Sequence, residues 1–201
     1  MPQFHDFFIN PGLEEEAEEL GWSNGSISAS VKILEANDWG ELKQKINENR
    51  ENYDILAFQG GNHELNRKAF STPKMDVVLH PGKGRKDSGM NHVDAEKSAE
   101  NDVAVCFSLR EVPGDSKRQS QVLGDWRRNL KLCEKYNAPY ILTTEAESSH
   151  QLRAPRDMAA VISSLGYDGR KAVSEVPGKI LEKNLEARRK SSDYAGHEVV
   201  D

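Results

Sequence analysis

Short apolar runs alternate with helical patterns along nearly the whole chain, and this alternation restricts the possible folds most strongly. It is typical of repeated βα units and predicts a parallel sheet, which six or seven strands with following helices would close into a single-domain, TIM-barrel-like α/β barrel. Most of the runs are apolar at consecutive positions, as expected of strands buried on both faces. The predicted strands are Phe4–Phe8, Val31–Leu34, Tyr53–Phe58, Asp76–His80, Val103–Ser108 and Tyr140–Thr143. The predicted helices lie near 13–20, 38–49, 62–70, 91–100, 118–136, 155–165 and 177–190.

An open, doubly wound sheet is the alternative architecture. A dinucleotide-binding version would carry a GxGxxG turn after its first strand, whereas the segment after Phe8 reads Ile-Asn-Pro-Gly-Leu. The length of 201 residues suits one domain. We therefore expect a single domain over 1–190, followed by a polar, aperiodic and flexible tail over 191–201.

The distribution of charge matters more than its total. The net charge of −6 argues mildly against binding nucleic acid. Residues 1–64, however, hold 13 acidic and four basic side chains, so the remaining chain has a small basic excess. An RNA-binding face on that remainder is therefore compatible with the composition.

The two cysteines, Cys106 and Cys133, lie in apolar stretches without the paired spacing of a zinc site. They are expected to be buried, reduced thiols of an intracellular protein. The first residues do not show the basic segment followed by an apolar run that is typical of a targeting leader. No apolar window approaches the roughly 18 residues of a membrane span. These patterns predict a soluble, cytoplasmic protein with no membrane contact.

The loops that follow the strands are the place to search for a site, because a parallel barrel builds its binding face there. The loop after Asp76–His80 contains two glycines and the cations Lys83, Arg85 and Lys86. Glycines let backbone N–H groups approach an anion, and the cations supply charge, so the loop fits a phosphate contact. A solvated turn is the alternative interpretation.

Two further basic segments follow the next two strands. Arg118 begins a long predicted helix that also carries Arg127 and Arg128. The helical spacing brings the side chains of Arg127 and Arg128 back near the face of the helix on which Arg118 lies. Arg153 and Arg156 flank the start of another helix, whose N-terminus favours anions. Alternatively, the first group forms an ordinary solvated helix face, and the second pairs with Glu145, Glu147 or Asp157.

Catalytic motifs are not evident. The six histidines occur singly, without HxH, HxxxH or HExxH spacing, and GxSxG is missing. His5 and Asp6 on the first predicted strand and His80 on the fourth are the one group that might converge on a metal. We predict neither catalytic residues nor a metal site on this chain.

Several segments together resemble the ribonuclease P protein component 3 family, the archaeal counterpart of the eukaryotic thirty-kilodalton ribonuclease P subunit. Each segment is weak alone, but their order and spacing are specific. The strongest is the strand, loop and helix Leu142–Asp157. The others are Tyr53–Phe58, Met75–Pro81, Gly89–Ala99, Lys135–Tyr140 and Leu165-Gly166.

The resemblance implies a barrel of the polymerase-and-histidinol-phosphatase type that has lost its own catalysis. Such phosphoesterases carry a histidine pair on the first strand, where this chain has only His5. Family membership implies a subunit of ribonuclease P, which removes 5′ leaders from precursor tRNA. The implied partners are the ribonuclease P RNA, which needs Mg²⁺ for the chemistry, protein component 2 and other protein subunits. The implied RNA contacts are Arg118, Arg153, Arg156, Lys83, Arg85 and Lys86.

Two rival functions remain at this point. A free-standing metal-dependent phosphoesterase on the same barrel would turn over phosphate esters without RNA. An assembly scaffold would bind component 2 and hardly touch RNA, so its complexes would not depend on Arg153 and Arg156.

Overall fold

Five apolar runs form the strands of one parallel sheet. The computed structural model describes residues 3–112 and 114–196. Its sheet pairs neighbouring strands in parallel, for example Val31 with Ile55 and Val105 with Tyr140. The strands are β1 Val31–Leu34, β2 Ile55–Gln59, β3 Val77–Leu79, β4 Ala104–Ser108 and β5 Tyr140–Thr143.

The spatial order of the strands decides between the two predicted architectures. The order is β1-β2-β3-β4-β5, so each strand lies beside its neighbour in sequence. A doubly wound sheet reverses direction at an internal strand, whereas a barrel-type sheet winds in one direction. The fold is therefore TIM-barrel-like α/β, and the open doubly wound alternative is wrong.

All of the predicted helices are present with similar bounds, and the short helix Asn24–Ile27 was not predicted. Their bounds are α1 Glu14–Glu19, α2 Asn24–Ile27, α3 Trp39–Asn49, α4 His63–Phe70, α5 His92–Asn101, α6 Ser116–Tyr136, α7 Pro155–Ser164 and α8 Val176–Gly196. A π-helical turn, Lys171–Glu175, leads into α8. The predicted tail differs, because α8 continues through residues 191–196, while 197–201 lie outside the described residues.

The segment Phe4–Phe8, predicted as the first strand, is extended but belongs to no strand, so the described residues hold five strands rather than six or seven. Its backbone bonds go to separate places. His5 N–H donates to the Val173 carbonyl at 2.8 Å, and the Phe4 carbonyl accepts from Ser23 N–H at 2.8 Å. These scattered partners replace a continuous ladder, although Phe7 is buried as the apolar pattern required.

Alternate residues of the strands pack into two apolar layers, one on each face of the sheet. Leu56 and Phe58 face the larger layer with side chains from the surrounding helices. Ile55 and Ala57 face the smaller one, together with Phe7 and the α8 residues Val176, Ile180 and Leu181. Both faces are thus covered, as expected for a parallel sheet.

Polar side chains fix α8 across the amino ends of β2 and β3. Asn184 Nδ2 donates to the Asp54 carbonyl at 2.8 Å and to Asp76 Oδ1 at 2.9 Å, and Arg188 pairs with the Asp54 carboxylate. Arg50 Nη1 donates to Asp76 Oδ2 at 2.5 Å. This network leaves the opposite, carboxyl end of the strands for the candidate site.

Candidate functional site at the carboxyl ends of the strands

Three charged side chains from three consecutive strand ends meet in one ion-paired group. His80 follows β3, Glu111 lies beyond β4 and Glu145 follows β5. His80 Nδ1 lies 2.9 Å from Glu111 Oε1, and His80 Nε2 lies 2.7 Å from Glu145 Oε2. We call Glu111, His80 and Glu145 the His80 cluster.

The His80 cluster carries a cation between two carboxylates. Burial alone lowers the pKa of His80, but hydrogen bonds to Glu111 and Glu145 and their negative charges raise it to about 9. Burial raises the pKa of Glu145, but hydrogen bonds from His80 and Ser108 outweigh it, so the net direction is down. This pKa favours the imidazolium at neutral pH, with one carboxylate beside each ring nitrogen.

Asp6 ties the N-terminal segment to the end of β5. Its carboxylate accepts from the Thr143 hydroxyl at 2.5 Å and from the backbone and hydroxyl of Thr144, each at 2.8 Å. Burial nevertheless raises the pKa of Asp6. His5 instead packs against Gly178, where an added Cβ would lie 3.1 Å from its Nε2.

The possible metal convergence of His5, Asp6 and His80 is therefore wrong. Each has different neighbours, and within residues 3–112 and 114–196 no group of three or more His, Cys, Asp or Glu is placed to hold a metal ion. Cys106 and Cys133 are buried and free, as predicted, and burial raises the pKa of both thiols.

The loop after β3 is rigidly held. Asn66 Nδ2 donates to the carbonyls of Pro81 and Gly89 at 2.8 and 3.0 Å. Asn129 Nδ2 donates to the Ser88 carbonyl at 2.8 Å, and Arg128 donates to the Ser88 hydroxyl at 2.7 Å. This contact with α6 gives Arg128 a structural partner.

The three predicted phosphate contacts in this loop differ in availability. Arg85 makes two hydrogen bonds of 2.7 Å to the Asp87 carboxylate, so its charge is already paired. Lys83 and Lys86 are exposed. Neither has an ion-pair partner among the described residues.

Arg118, Arg153 and Arg156 are all exposed, on segments that follow β4 and β5. Arg153 Nη1 donates to the His150 and Leu152 carbonyls at 2.8 and 2.6 Å, which folds the side chain onto its own loop. Arg118 and Arg156 bind no other side chain of the described part of the chain. No hydrogen bond or ion pair among the described residues joins these arginines to the loop after β3.

The suggested pairing of Arg153 or Arg156 with Glu145, Glu147 or Asp157 is wrong, because neither arginine forms an ion pair with these acids. Glu145 pairs with His80, and Glu147 pairs with Arg110 at 2.6 Å. Glu111 was not predicted as a site residue. Its position, just after a buried strand, was the available signal.

Gln59, the last residue of β2, was also missed. Its Nε2 is buried and has no hydrogen-bond partner among the described residues. None of the helices over the described ranges is long and apolar enough to cross a bilayer.

Comparison with known families gives a match over most of the chain. The model of the family described as "RNase P subunit p30" matches residues 27–190. This family is the one indicated by the sequence motifs.

Curated relatives carry the name ribonuclease P protein component 3. The protein of Methanothermobacter thermautotrophicus is 34% identical over 178 residues, 87% of this chain and 72% of the relative. The protein of Methanosarcina mazei is 34% identical over 162 residues, 79% of this chain and 67% of the relative. The protein of Natronomonas pharaonis is 34% identical over 177 residues, 86% of this chain and 72% of the relative.

A solved structure also has this fold. One chain of the cryo-EM structure of archaeal ribonuclease P with mature tRNA superposes with a TM-score of 0.66 and 25% identity. The superposition covers 99% of this chain and 83% of that chain.

Proposed function

The chain belongs to the RNase P subunit p30 family, and we propose that it serves ribonuclease P as a non-catalytic, RNA-binding subunit. The observation that carries the proposal is the joint match of sequence and fold to archaeal ribonuclease P proteins. In this role the RNA of the complex cleaves the 5′ leader from precursor tRNA and requires Mg²⁺. The chain binds that RNA with protein component 2 and the other subunits, in the cytoplasm.

The side chains at the strand ends favour a role in supporting the RNA over hydrolysis by this chain. A metal-dependent phosphoesterase needs neutral histidines and free carboxylates as ligands. In the His80 cluster both carboxylates are paired with the imidazolium, at 2.7 and 2.9 Å. These residues do not fit a hydrolytic metal, which weighs against the free-standing phosphoesterase.

The basic side chains are proposed to neutralise phosphates where RNA strands crowd together. Arg118, Arg156, Lys83 and Lys86 are exposed, and no described residue pairs with them, so their charge is available. Arg85 is paired with Asp87. We expect the four free cations to contribute more to RNA binding than Arg85 does.

The test is the salt dependence of association with the cognate ribonuclease P RNA in the presence of component 2. Arg156→Ala should weaken association and reduce the slope of log K against log salt by about 0.7 to 0.9, the value for one phosphate contact. Lys43→Ala is the matched control, since Lys43 is an exposed cation on α3, before the strand-end loops.

Unchanged affinity and slope in both Arg156→Ala and Arg118→Ala would remove these arginines from the RNA interface. If the unsubstituted chain bound component 2 but the pair bound no ribonuclease P RNA, the scaffold alternative would replace the proposal.

A further inference from the structure

A cleft of about 360 Å³ opens at the carboxyl ends of the strands, beside the His80 cluster. Its volume lies within the roughly 300–1,000 Å³ usual for small-ligand sites. The position is the one where parallel barrels bind ligands. The lining residues are Gln59, His80, Lys83, Arg110, Glu111 and Glu145.

An unpaired buried donor lies in the wall of this cleft. Gln59 Nε2 is buried and donates to none of the described residues. Buried polar atoms in native proteins nearly always have a partner, so such an atom points to one from outside the chain. The cleft therefore offers a hydrogen bond that the chain itself does not use.

The backbone around the cleft is held in a costly conformation. His80 and Glu145 have φ values of 50° and 47°, in the left-handed region that non-glycine residues seldom adopt. Residues held in this way cluster at binding and active sites. Their mutual ion pair of 2.7 Å holds both in place.

Close backbone packing fixes Gln59 relative to Lys83. Gly61, two residues after Gln59, has a φ of 120°, and a Cβ there would lie 2.7 Å from the Lys83 carbonyl. A Cβ on Gly60 would lie 2.9 Å from the His80 carbonyl. The backbones of the loops after β2 and β3 are therefore held together, with Gln59 and Lys83 both in the lining of the cleft.

The charges of the lining leave one cation free to bind an anion. His80, Lys83 and Arg110 are the cations against the carboxylates of Glu111 and Glu145. His80 is occupied by both carboxylates, and Arg110 pairs with Glu147 at 2.6 Å. Lys83 is left to attract a ligand anion, and Gln59 Nε2 is an unpaired donor in the same lining.

We propose that this cleft holds one ribonucleotide of a single-stranded RNA segment. The phosphodiester pairs with Lys83, and the 2′-hydroxyl accepts from Gln59 Nε2. A 2′-hydroxyl contact distinguishes RNA from DNA, which phosphate contacts alone do not. The inference rests on the proposed function, since it assigns to the RNA-binding subunit a site that reads the sugar as well as the charge.

The experiment titrates the ¹⁵N-labelled full chain with tetrauridylate and, separately, with its deoxyuridine counterpart. The side-chain amide resonances of Gln59 should shift with the ribonucleotide, which should bind about fivefold more tightly, as one added hydrogen bond allows. Equal affinity for the two oligomers, an unshifted Gln59 amide, or no binding at millimolar concentration would each overturn the proposal.

Three variants separate the contacts. Gln59→Met, of nearly equal size, should abolish the preference for ribose, and so should Gln59→Glu, which has no amide donor. Lys83→Ala should weaken both oligomers about fivefold, consistent with one lost ionic contact. Lys43→Ala, the remote exposed lysine, should change neither, and a ribose preference that survives both Gln59 variants contradicts the assignment.

The outcomes distinguish this site from the proposed function. If the chain associates with ribonuclease P RNA but tetrauridylate leaves the Gln59 amide unshifted, only the ribonucleotide site fails. If tetrauridylate shifts that amide while the chain shows no association with ribonuclease P RNA, the proposed function fails and the site remains.

Discussion

Neutralising His80 should remove a measurable part of the stability of the fold. The imidazolium is buried between Glu111 and Glu145, and its pKa is about 9 instead of the ordinary 6.5. One pKa unit corresponds to about 1.4 kcal/mol, so the protonated form contributes about 3 kcal/mol to the free energy of unfolding. Because the folded-state pKa is raised, this contribution is complete below pH 6.5 and is lost as the pH rises through 9.

The perturbation that isolates this contribution is His80→Asn. Asparagine tolerates the left-handed backbone, so it suits the φ of 50° at this position. Urea unfolding of both proteins between pH 6 and pH 10 gives the difference in free energy of unfolding. We expect the variant to be less stable at pH 6, and the difference to shrink by about 3 kcal/mol as the pH approaches 10.

Two results would refute this reasoning. A stability difference that stays constant from pH 6 to pH 10 would mean that the His80 charge does not stabilise the fold. An NMR titration that places the pKa of His80 near its ordinary 6.5 would show that the ion pairs to Glu111 and Glu145 do not form in solution.

Three further substitutions test the packing of the loop after β3 and the polar network at the amino ends of the strands. Gly89→Ala should be strongly destabilising in thermal unfolding, because at a φ of 73° its Cβ would lie 1.9 Å from the Pro81 carbonyl oxygen. Gly84→Ala, with a φ of 72° and open space, should cost only about 1–2 kcal/mol, and equal losses would contradict the packing argument. Arg50→Met removes the cationic partner of the buried Asp76 carboxylate and should cost about 3 kcal/mol in urea unfolding, whereas a loss below about 1 kcal/mol would mean that this pair is solvated.

The strands were predictable wherever an apolar run also forms a ladder of backbone hydrogen bonds with a neighbouring strand. The predicted bounds Val31–Leu34 and Tyr140–Thr143 coincide with β1 and β5. Phe4–Phe8 shows the limit of this reasoning, because apolar residues report burial and not the partner of the backbone. Here the Asp6 carboxylate accepts hydrogen bonds from the N–H groups of Phe8 and Thr144. These side-chain hydrogen bonds replace the strand-to-strand hydrogen bonds that were expected.

The candidate site was predictable in location but not in pairing. Parallel strands placed the polar loops at one end, as expected. The sequence does not show that His80 turns into the left-handed region and meets Glu111 and Glu145, which are 31 and 65 positions later. Likewise, pairing of Arg85 with Asp87 depends on side-chain geometry that charge counts do not contain.

In the proposed function this chain supports catalysis by RNA and does not perform it. The most direct measurement is cleavage of precursor tRNA by the cognate ribonuclease P RNA and component 2 at moderate Mg²⁺, with and without this chain, and with this chain alone. We predict that the chain stimulates cleavage only when the RNA is present. Cleavage by the chain alone, or no stimulation in the complete mixture, would contradict the account.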